Sequence, residues 1–137
     1  PSWAAGEMKI SANGNTAGSG NPGTYLSLHR QWTSGDPIEF TLPAAIQVKR
    51  YAGADQLPGK TKYSVEYGPI LLAAVGSSKV ELSLASGHAA QQLADYLEPI
   101  EGAQLHFTVR GNSGQKLMPY WQIADEEFTC YPVVNAV

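Results

Sequence analysis

The chain has 137 residues, of which 43% are apolar and 15% charged, and its formal net charge is −3. This length is typical of one domain, so we interpret residues 1–137 as a single domain. The acidic balance argues against a nucleic-acid-binding surface, which needs clustered Lys and Arg. The longest apolar run, residues 70–75, is far shorter than the roughly 18 residues of a membrane-spanning helix.

Short strands joined by turns are predicted from the start of the chain. Met8, Ile10 and Ala12 alternate with polar residues and run into Asn13-Gly14. An Asn-Gly pair between alternating segments is a strong two-residue hairpin signal. Residues 15–23 are rich in Gly, Asn, Ser and Thr, which predicts a loop.

A second hairpin is predicted from residues 25–32 and residues 38–42. Leu26, Leu28, Arg30 and Trp32 fall on one face of the first strand, because side chains alternate along a strand. Residues 33–36 supply the turn, in which Gly35 can adopt a positive φ. We expect the face that carries Leu26 and Leu28 to meet the core.

The rest of the chain is also predicted to consist mainly of short strands, with one helix. One short helix is predicted near residues 86–97, where apolar residues recur at helical spacing before Pro99. Loops are predicted at residues 52–60 and 110–116. Further strands are predicted at residues 46–51, 63–67, 70–75, 80–84, 105–109, 118–123 and 128–134. This pattern predicts an all-β fold, an antiparallel β-sandwich that is jelly-roll-like.

Catalytic motifs are not evident in the sequence. The three histidines lack metal-ligand spacing, and no Gly-x-Ser-x-Gly or phosphate-binding glycine motif occurs. The acidic residues are scattered over turns and solvent-facing strand positions rather than placed as an evident catalytic pair. Cys130 is the only cysteine, so we predict a lone buried thiol and no internal disulfide.

Aromatic residues are the alternative source of function. Three Trp and seven Tyr either fill the core or form exposed platforms that stack on sugar rings. Tyr120 and Trp121 are the best platform candidates, because neighbours in a predicted strand point to opposite faces. Tyr25 is the third candidate.

Several short motifs in a fixed order resemble a known family. They are Pro1-Ser2-Trp3, Asn13-Gly14, Gly23-Thr24-Tyr25-Leu26, Arg30-Gln31-Trp32, Gly35-Asp36 and Tyr67-Gly68-Pro69-Ile70-Leu71-Leu72-Ala73. The set is similar to the C-terminal β-sandwich part of the family 127 glycoside hydrolases, the β-L-arabinofuranosidase-like group. It covers residues 1–76, a family-like sandwich core, while residues 77–137 resemble a further C-terminal extension packed with it.

The resemblance implies a larger parent protein. An (α/α) barrel would carry the active site, with cysteines and a glutamate that bind zinc, and no such motif matches a position in this chain. We therefore expect no catalytic residue, metal or cofactor in this fragment, and zinc only in the missing catalytic domain. The expected function is a non-catalytic accessory domain of a bacterial glycoside hydrolase, in a parent that is secreted or periplasmic.

Two other functions stay open at this point. The chain could be a carbohydrate-binding module for plant polysaccharide or oligosaccharide that uses Tyr25, Tyr120 and Trp121, or a self-association domain. For the central hairpin we predict a structural network in which Arg30 finds an ion-pair or hydrogen-bond partner, with Trp32 and Asp36 nearby, because a buried guanidinium needs such a partner.

Overall fold

The computed structural model describes residues 1–84 and 87–136. The chain divides into two compact units, Pro1–Ala45 and Ile46–Val137. Among the described residues, the first unit contains one hydrogen-bonded sheet and the second unit contains two. The interpretation of residues 1–137 as one domain stays a prediction.

The first unit contains a three-stranded antiparallel sheet. Its strands are β1 (Met8–Ala12), β2 (Asn15–Gly20) and β3 (Ile38–Thr41), in the order β2-β1-β3. The hairpin predicted at Asn13-Gly14 is present, since both residues have a positive φ, 52° and 75°. Positive φ at both central positions is what a tight two-residue hairpin requires.

The predicted pairing of residues 25–32 with residues 38–42 is wrong. β3 pairs with β1 instead, with Ile10 opposite Phe40 and Ala12 opposite Ile38. Residues 25–32 contain no strand. The turn between the two segments is nevertheless formed, because the Asp36 amide donates to the Thr33 carbonyl at 3.0 Å.

The loop predicted at residues 15–23 is also wrong for residues 15–20, which form β2. Two glycines on β2 leave room for the leucines of residues 25–32. A Cβ added at Gly18 would lie 3.4 Å from Leu28 Cδ2, and one added at Gly20 would lie 3.4 Å from Leu26 Cβ. The two leucines therefore pack across the glycines of β2, so they face inward as alternation predicts without belonging to a strand.

The second unit contains the larger sheet. Six strands follow the antiparallel order β4-β5-β6-β10-β9-β8, and β11 pairs with the second half of β6 beside β5. A separate parallel pair joins β7 and β12. The bounds are β4 (Ile46–Arg50), β5 (Tyr63–Tyr67), β6 (Ile70–Val75), β7 (Glu81–Leu84), β8 (Leu97–Pro99), β9 (Phe107–Val109), β10 (Asn112–Pro119), β11 (Phe128–Thr129) and β12 (Val133–Ala136).

The core of the second unit is closed and apolar. Leu72 on β6 and Leu117 on β10 are fully buried, and Leu93 from the predicted helix packs into the same cluster. That helix spans Ala90–Tyr96 and is a 3-10 helix. Its first turn closes with the Gln92 amide donating to the Ala89 carbonyl at 2.9 Å. Ser86, the first residue of the predicted span, lies outside the described residues.

Three predictions near the end of the chain need correction. Residues 112–116 belong to β10 rather than to a loop, because β10 pairs with β9 through a register shift that accommodates them. Residues 120–122 form a short 3-10 helix rather than a strand, directly after β10 ends at Pro119. The predicted strand 128–134 is divided into β11 and β12.

The all-β class, the predominantly antiparallel pairing and the short helix near residues 86–97 are confirmed. Within residues 1–84 and 87–136, no helix has the length and apolarity needed to cross a membrane.

Candidate functional site

Tyr120 and Trp121 form an exposed aromatic pair in the second unit. Their side chains are 49% and 54% exposed. The ring centroids lie 5.5 Å apart and the ring planes are nearly perpendicular, at 86°. Edge-to-face contact is a favourable arrangement of two aromatic rings. The two rings therefore support each other while both keep surface available to solvent.

The position of this pair follows from the end of β10. Pro119 is fully buried, and the backbone then turns through the 3-10 helix Tyr120–Gln122. Because a helical turn places successive side chains about 120° apart, neither ring is forced toward the core. The predicted reason for exposure, opposite faces of a strand, is therefore wrong, although both rings are exposed.

An acidic loop follows the aromatic pair. Glu126 accepts a hydrogen bond from the Ala124 amide, with Oε2 at 3.1 Å from the nitrogen. Hydrogen bonds from backbone amides lower the pKa of Glu126, those of Glu126 itself and of Ala124 being the largest causes. Glu126 is therefore ionised at neutral pH and unsuited to donate a proton as a general acid.

Tyr25 belongs to the first unit and is fully exposed. It lies in the irregular segment between β2 and β3, where no regular hydrogen-bonding ladder holds the backbone. A tyrosine in this position offers a ring to solvent. Its predicted role in sugar binding stays a prediction.

Arg30, Trp32 and Asp36 lie together in the first unit. The Arg30 guanidinium carbon is 4.8 Å from the centroid of the Trp32 ring, and its Nη2 is 3.5 Å from Asp36 Oδ2. Asp36 also accepts hydrogen bonds from Asn13 Nδ2 and the Thr33 amide, both at 3.0 Å. The cluster lies at the surface rather than in the core, since Trp32 is 46% exposed.

Within this cluster, the Asp36 carboxyl has a lowered pKa. The hydrogen bond from Asn13 is the largest cause that lowers the pKa of Asp36, followed by the one from Thr33. Asn13 belongs to the hairpin turn, so Asp36 connects two turns that lie 23 positions apart in sequence. The predicted structural network thus has a defined geometry, and its contribution to stability stays a prediction.

Residues 1–84 and 87–136 contain no cluster of three or more His, Cys, Asp or Glu side chains that could hold a metal ion. Cys130 is half-buried rather than fully buried, and desolvation raises the pKa of its thiol. A raised pKa keeps the sulfur protonated at neutral pH, and a thiol is a poor nucleophile.

One cleft in the second unit was not predicted from the sequence. It has a volume of about 490 Å³ and is lined by residues from the loop before β5, from the segment that leads into β7, and from the stretch between the end of β11 and the start of β12. Its tyrosine and lysines come from distant parts of the chain. The only local signal is the basic pair Lys60 and Lys62, which the sequence pattern does not distinguish from a solvated strand end.

Comparison with known proteins gives a match for the first unit. Residues 1–44 match the family model described as "Beta-L-arabinofuranosidase, GH127 middle domain". The matched segment coincides with the first compact unit, Pro1–Ala45, to within one residue. No curated protein matches the chain.

The match supports the predicted resemblance over residues 1–44 and differs from it in extent. It describes a middle domain and ends at residue 44, whereas the motif set was assigned to the C-terminal part and continues to residue 76. The Tyr67–Ala73 motif lies in β5, β6 and the turn between them, outside the matched segment. Over residues 1–44, the chain is therefore similar to the middle domain of the GH127 family.

Proposed function

We propose that this chain is a non-catalytic accessory domain of a GH127-like glycoside hydrolase and that it supports a catalytic (α/α) barrel in the parent protein. The family match over residues 1–44 supports the connection to a glycoside hydrolase. In this proposal the chain carries no catalytic residue and needs no cofactor. Zinc, with its cysteine and glutamate ligands, belongs to the catalytic domain.

The observation that carries the supporting role is an uncovered apolar strip on β3, formed by Ile38 and Phe40. These residues are cross-strand partners of Ala12 and Ile10, and directly paired residues lie on the same face of a sheet. Ile10 and Ala12 are buried, whereas Ile38 and Phe40 are 47% and 58% exposed. The strip therefore continues a buried face out to the sheet edge.

Such a strip is suited to contact with another protein surface. Contiguous exposed apolar side chains mark interaction sites in soluble proteins. β3 is an edge strand of its sheet, so its outer backbone groups are also available for hydrogen bonding. A neighbouring domain of the same parent would cover both the side chains and the edge.

An activity assay tests the non-catalytic part of the proposal. We expect the chain to release no product from aryl α- or β-L-arabinofuranosides, either with added zinc or with a chelator present. Reproducible turnover that follows the protein through purification and is lost on heat denaturation would contradict it.

A pair of variants tests the supporting role. We expect Phe40→Ser to leave the melting temperature of this chain nearly unchanged, because the ring is already solvated. In a parent protein that includes the barrel, the same substitution should lower the melting temperature by several degrees. Lys9→Ser, on the same sheet, is the control. An equal effect of both substitutions in the parent would contradict the proposal.

Self-association is an outcome that the same strip makes measurable. Light scattering distinguishes a monomer from a dimer of this chain. A dimer that Phe40→Ser dissociates and that persists in the parent with its barrel would replace the supporting role by self-association.

The second candidate function is carbohydrate binding by the Tyr120–Trp121 pair. The specific observation is that two mutually supporting rings keep about half of their surface exposed on one turn. Aromatic rings on a sandwich domain provide faces for pyranose or furanose rings. Tyr25, on the first unit, is a separate exposed ring and is tested separately.

Tryptophan fluorescence decides whether this candidate holds. Titration with plant-polysaccharide oligomers should change the emission if Trp121 binds sugar, and Trp121→Ala should remove the change. Trp32→Ala is the matched control, because Trp32 is similarly exposed on the first unit. Absence of any response at millimolar sugar concentrations would rule the candidate out.

A further inference from the structure

The lysine cleft is the cavity of about 490 Å³ in the second unit, lined by residues that include Leu57, Lys60, Lys62, Lys79, Tyr131 and Val133. Its volume falls in the range of small-molecule sites, roughly 300–1,000 Å³. Val133 is buried, while Leu57 is 43% exposed at the entrance. The cleft therefore combines an apolar floor with a cationic rim.

Two of the three lysines already have acidic partners. Lys60 is paired with Glu81, and Lys62 Nζ lies 2.7 Å from Asp55 Oδ2 and 2.8 Å from the Asp55 carbonyl oxygen. The hydrogen bond from Lys62 is the largest cause that lowers the pKa of Asp55, to about 2. The hydrogen bond from Lys60 is the largest cause that lowers the pKa of Glu81. Both carboxylates are thus ionised at neutral pH, and these two pairs are electrically balanced.

Lys79 leaves one positive charge unbalanced. Its ammonium group has no hydrogen-bond or ion-pair partner among residues 1–84 and 87–136, and Lys79 is one of the residues that line the cleft. A single unbalanced charge beside an apolar floor favours a monoanion with an apolar face. A strongly hydrated dianion would gain little from such a floor, because its desolvation is costly.

The aromatic wall of the cleft is fixed in place. Tyr131 packs on Tyr51 with ring centroids 4.2 Å apart and planes tilted by 31°. The Tyr51 hydroxyl donates to Asp55 Oδ1 at 2.7 Å, which anchors the inner ring. In the described part of the chain, the Tyr131 hydroxyl has no partner of its own. It is therefore available to donate to a ligand.

We propose that the lysine cleft binds a uronic acid, a sugar whose ring carries one carboxylate. Lys79 pairs with the carboxylate, the Tyr131 hydroxyl donates to one of its oxygens, and an apolar face of the ring lies on Val133 and Leu57. The site is distinct from the Tyr120–Trp121 pair. It also goes beyond the accessory role proposed above, which holds or fails independently of sugar binding at this cleft.

Calorimetric titration of the full chain tests the proposal with three probes. Sodium glucuronate should bind, whereas glucose, which lacks the charge, and sodium acetate, which lacks the ring, should bind at least about tenfold more weakly. Equal affinity for glucuronate and glucose would overturn the role of the charge. Equal affinity for glucuronate and acetate would overturn the role of the ring.

Two variants locate the binding. Lys79→Met should weaken glucuronate binding by about tenfold, because it removes a charge-assisted hydrogen bond. Lys9→Met, in the first unit, changes the net charge equally and should leave the affinity unchanged. Tyr131→Phe keeps the stacked ring and should weaken binding by a few-fold. Unchanged glucuronate affinity in Lys79→Met, with the far-UV circular dichroism of the wild type, would overturn the site.

Discussion

In the second unit, Leu72, Leu93 and Leu117 are completely withdrawn from solvent. In the first unit, by contrast, Ile38 and Phe40 keep about half of their surface exposed. Both units are built from short strands with alternating side chains. The difference shows that an alternating strand reaches a core only when a second layer covers its apolar face. In the first unit, Leu26 and Leu28 cover only the part over β2.

The first unit buries fewer apolar side chains than the second unit does. Three apolar residues there are buried, and the two turns are joined by the hydrogen bond from Asn13 to Asp36. In the second unit, a single apolar cluster joins β5, β6, β7, β9, β10 and the 3-10 helix. We therefore expect the second unit to respond most to core truncation and the first unit to respond most to changes in its turns.

Core truncation should give the largest effect. Leu117→Ala removes a fully buried side chain and should lower the free energy of unfolding by about 2–5 kcal/mol. Phe40→Ala removes a larger side chain that is 58% exposed, and should change it by less than about 0.5 kcal/mol. Chemical denaturation measures both. Comparable losses in the two variants would break the contrast between the units.

Turn geometry in the first unit should give the next effect. Gly14→Ala places a side chain at a φ of 75° and should cost about 1 kcal/mol. Gly6→Ala is the matched control, since Gly6 has no positive φ and the nearest atom to an added Cβ is 3.9 Å away. A loss in the control as large as that in Gly14→Ala would show that the hairpin turn has no special role.

The Arg30 cluster should contribute less. Arg30→Met removes the contact with the Trp32 ring and the ion pair with Asp36, so the melting temperature should fall slightly. Arg50→Met, at an exposed end of β4, should leave it unchanged. An unaltered melt in Arg30→Met, together with lost sugar binding, would instead identify Arg30 as part of a binding site.

Acid titration should reveal the smallest differences between the units. Asp36 and Asp55 both have lowered pKa values, that of Asp55 about 2. A carboxyl whose pKa is lowered by folding stabilises the native state above its unfolded pKa, near 3.8. That stabilisation is lost as the pH falls from there through the folded value. Carboxyl-carbon NMR from pH 5 to pH 2 measures both groups.

Variants assign the cause at each carboxylate. Asn13→Ala should raise the pKa of Asp36 alone, and Lys62→Met should raise the pKa of Asp55 alone, because these are the largest causes of the two shifts. A pKa of Asp55 that stays near 2 in Lys62→Met would contradict the assigned ion pair.

Local patterns predicted the elements that depend on neighbouring residues. Alternation located β1 and β5, an unbroken apolar run located β6, and the Asn13-Gly14 dipeptide located the first hairpin turn, since positive φ is set by the residues themselves. Exposure of at least one ring of the Tyr120–Trp121 pair was also predicted, although the backbone around them is helical rather than extended. The lysine cleft was not, because Lys62, Lys79 and Tyr131 meet only in the folded unit.

The sequence by itself determined the all-β class, the turns and the motifs whose order resembles the GH127 family, because these depend on residue type and short spacing. Only the tertiary structure decided which strands pair and which apolar faces are covered. Residues 25–32 alternate as a strand would, yet β1 already has β2 and β3 on its two sides. Distant segments compete for a limited number of free strand edges. The alternation within one segment does not predict whether that segment will pair with a given edge.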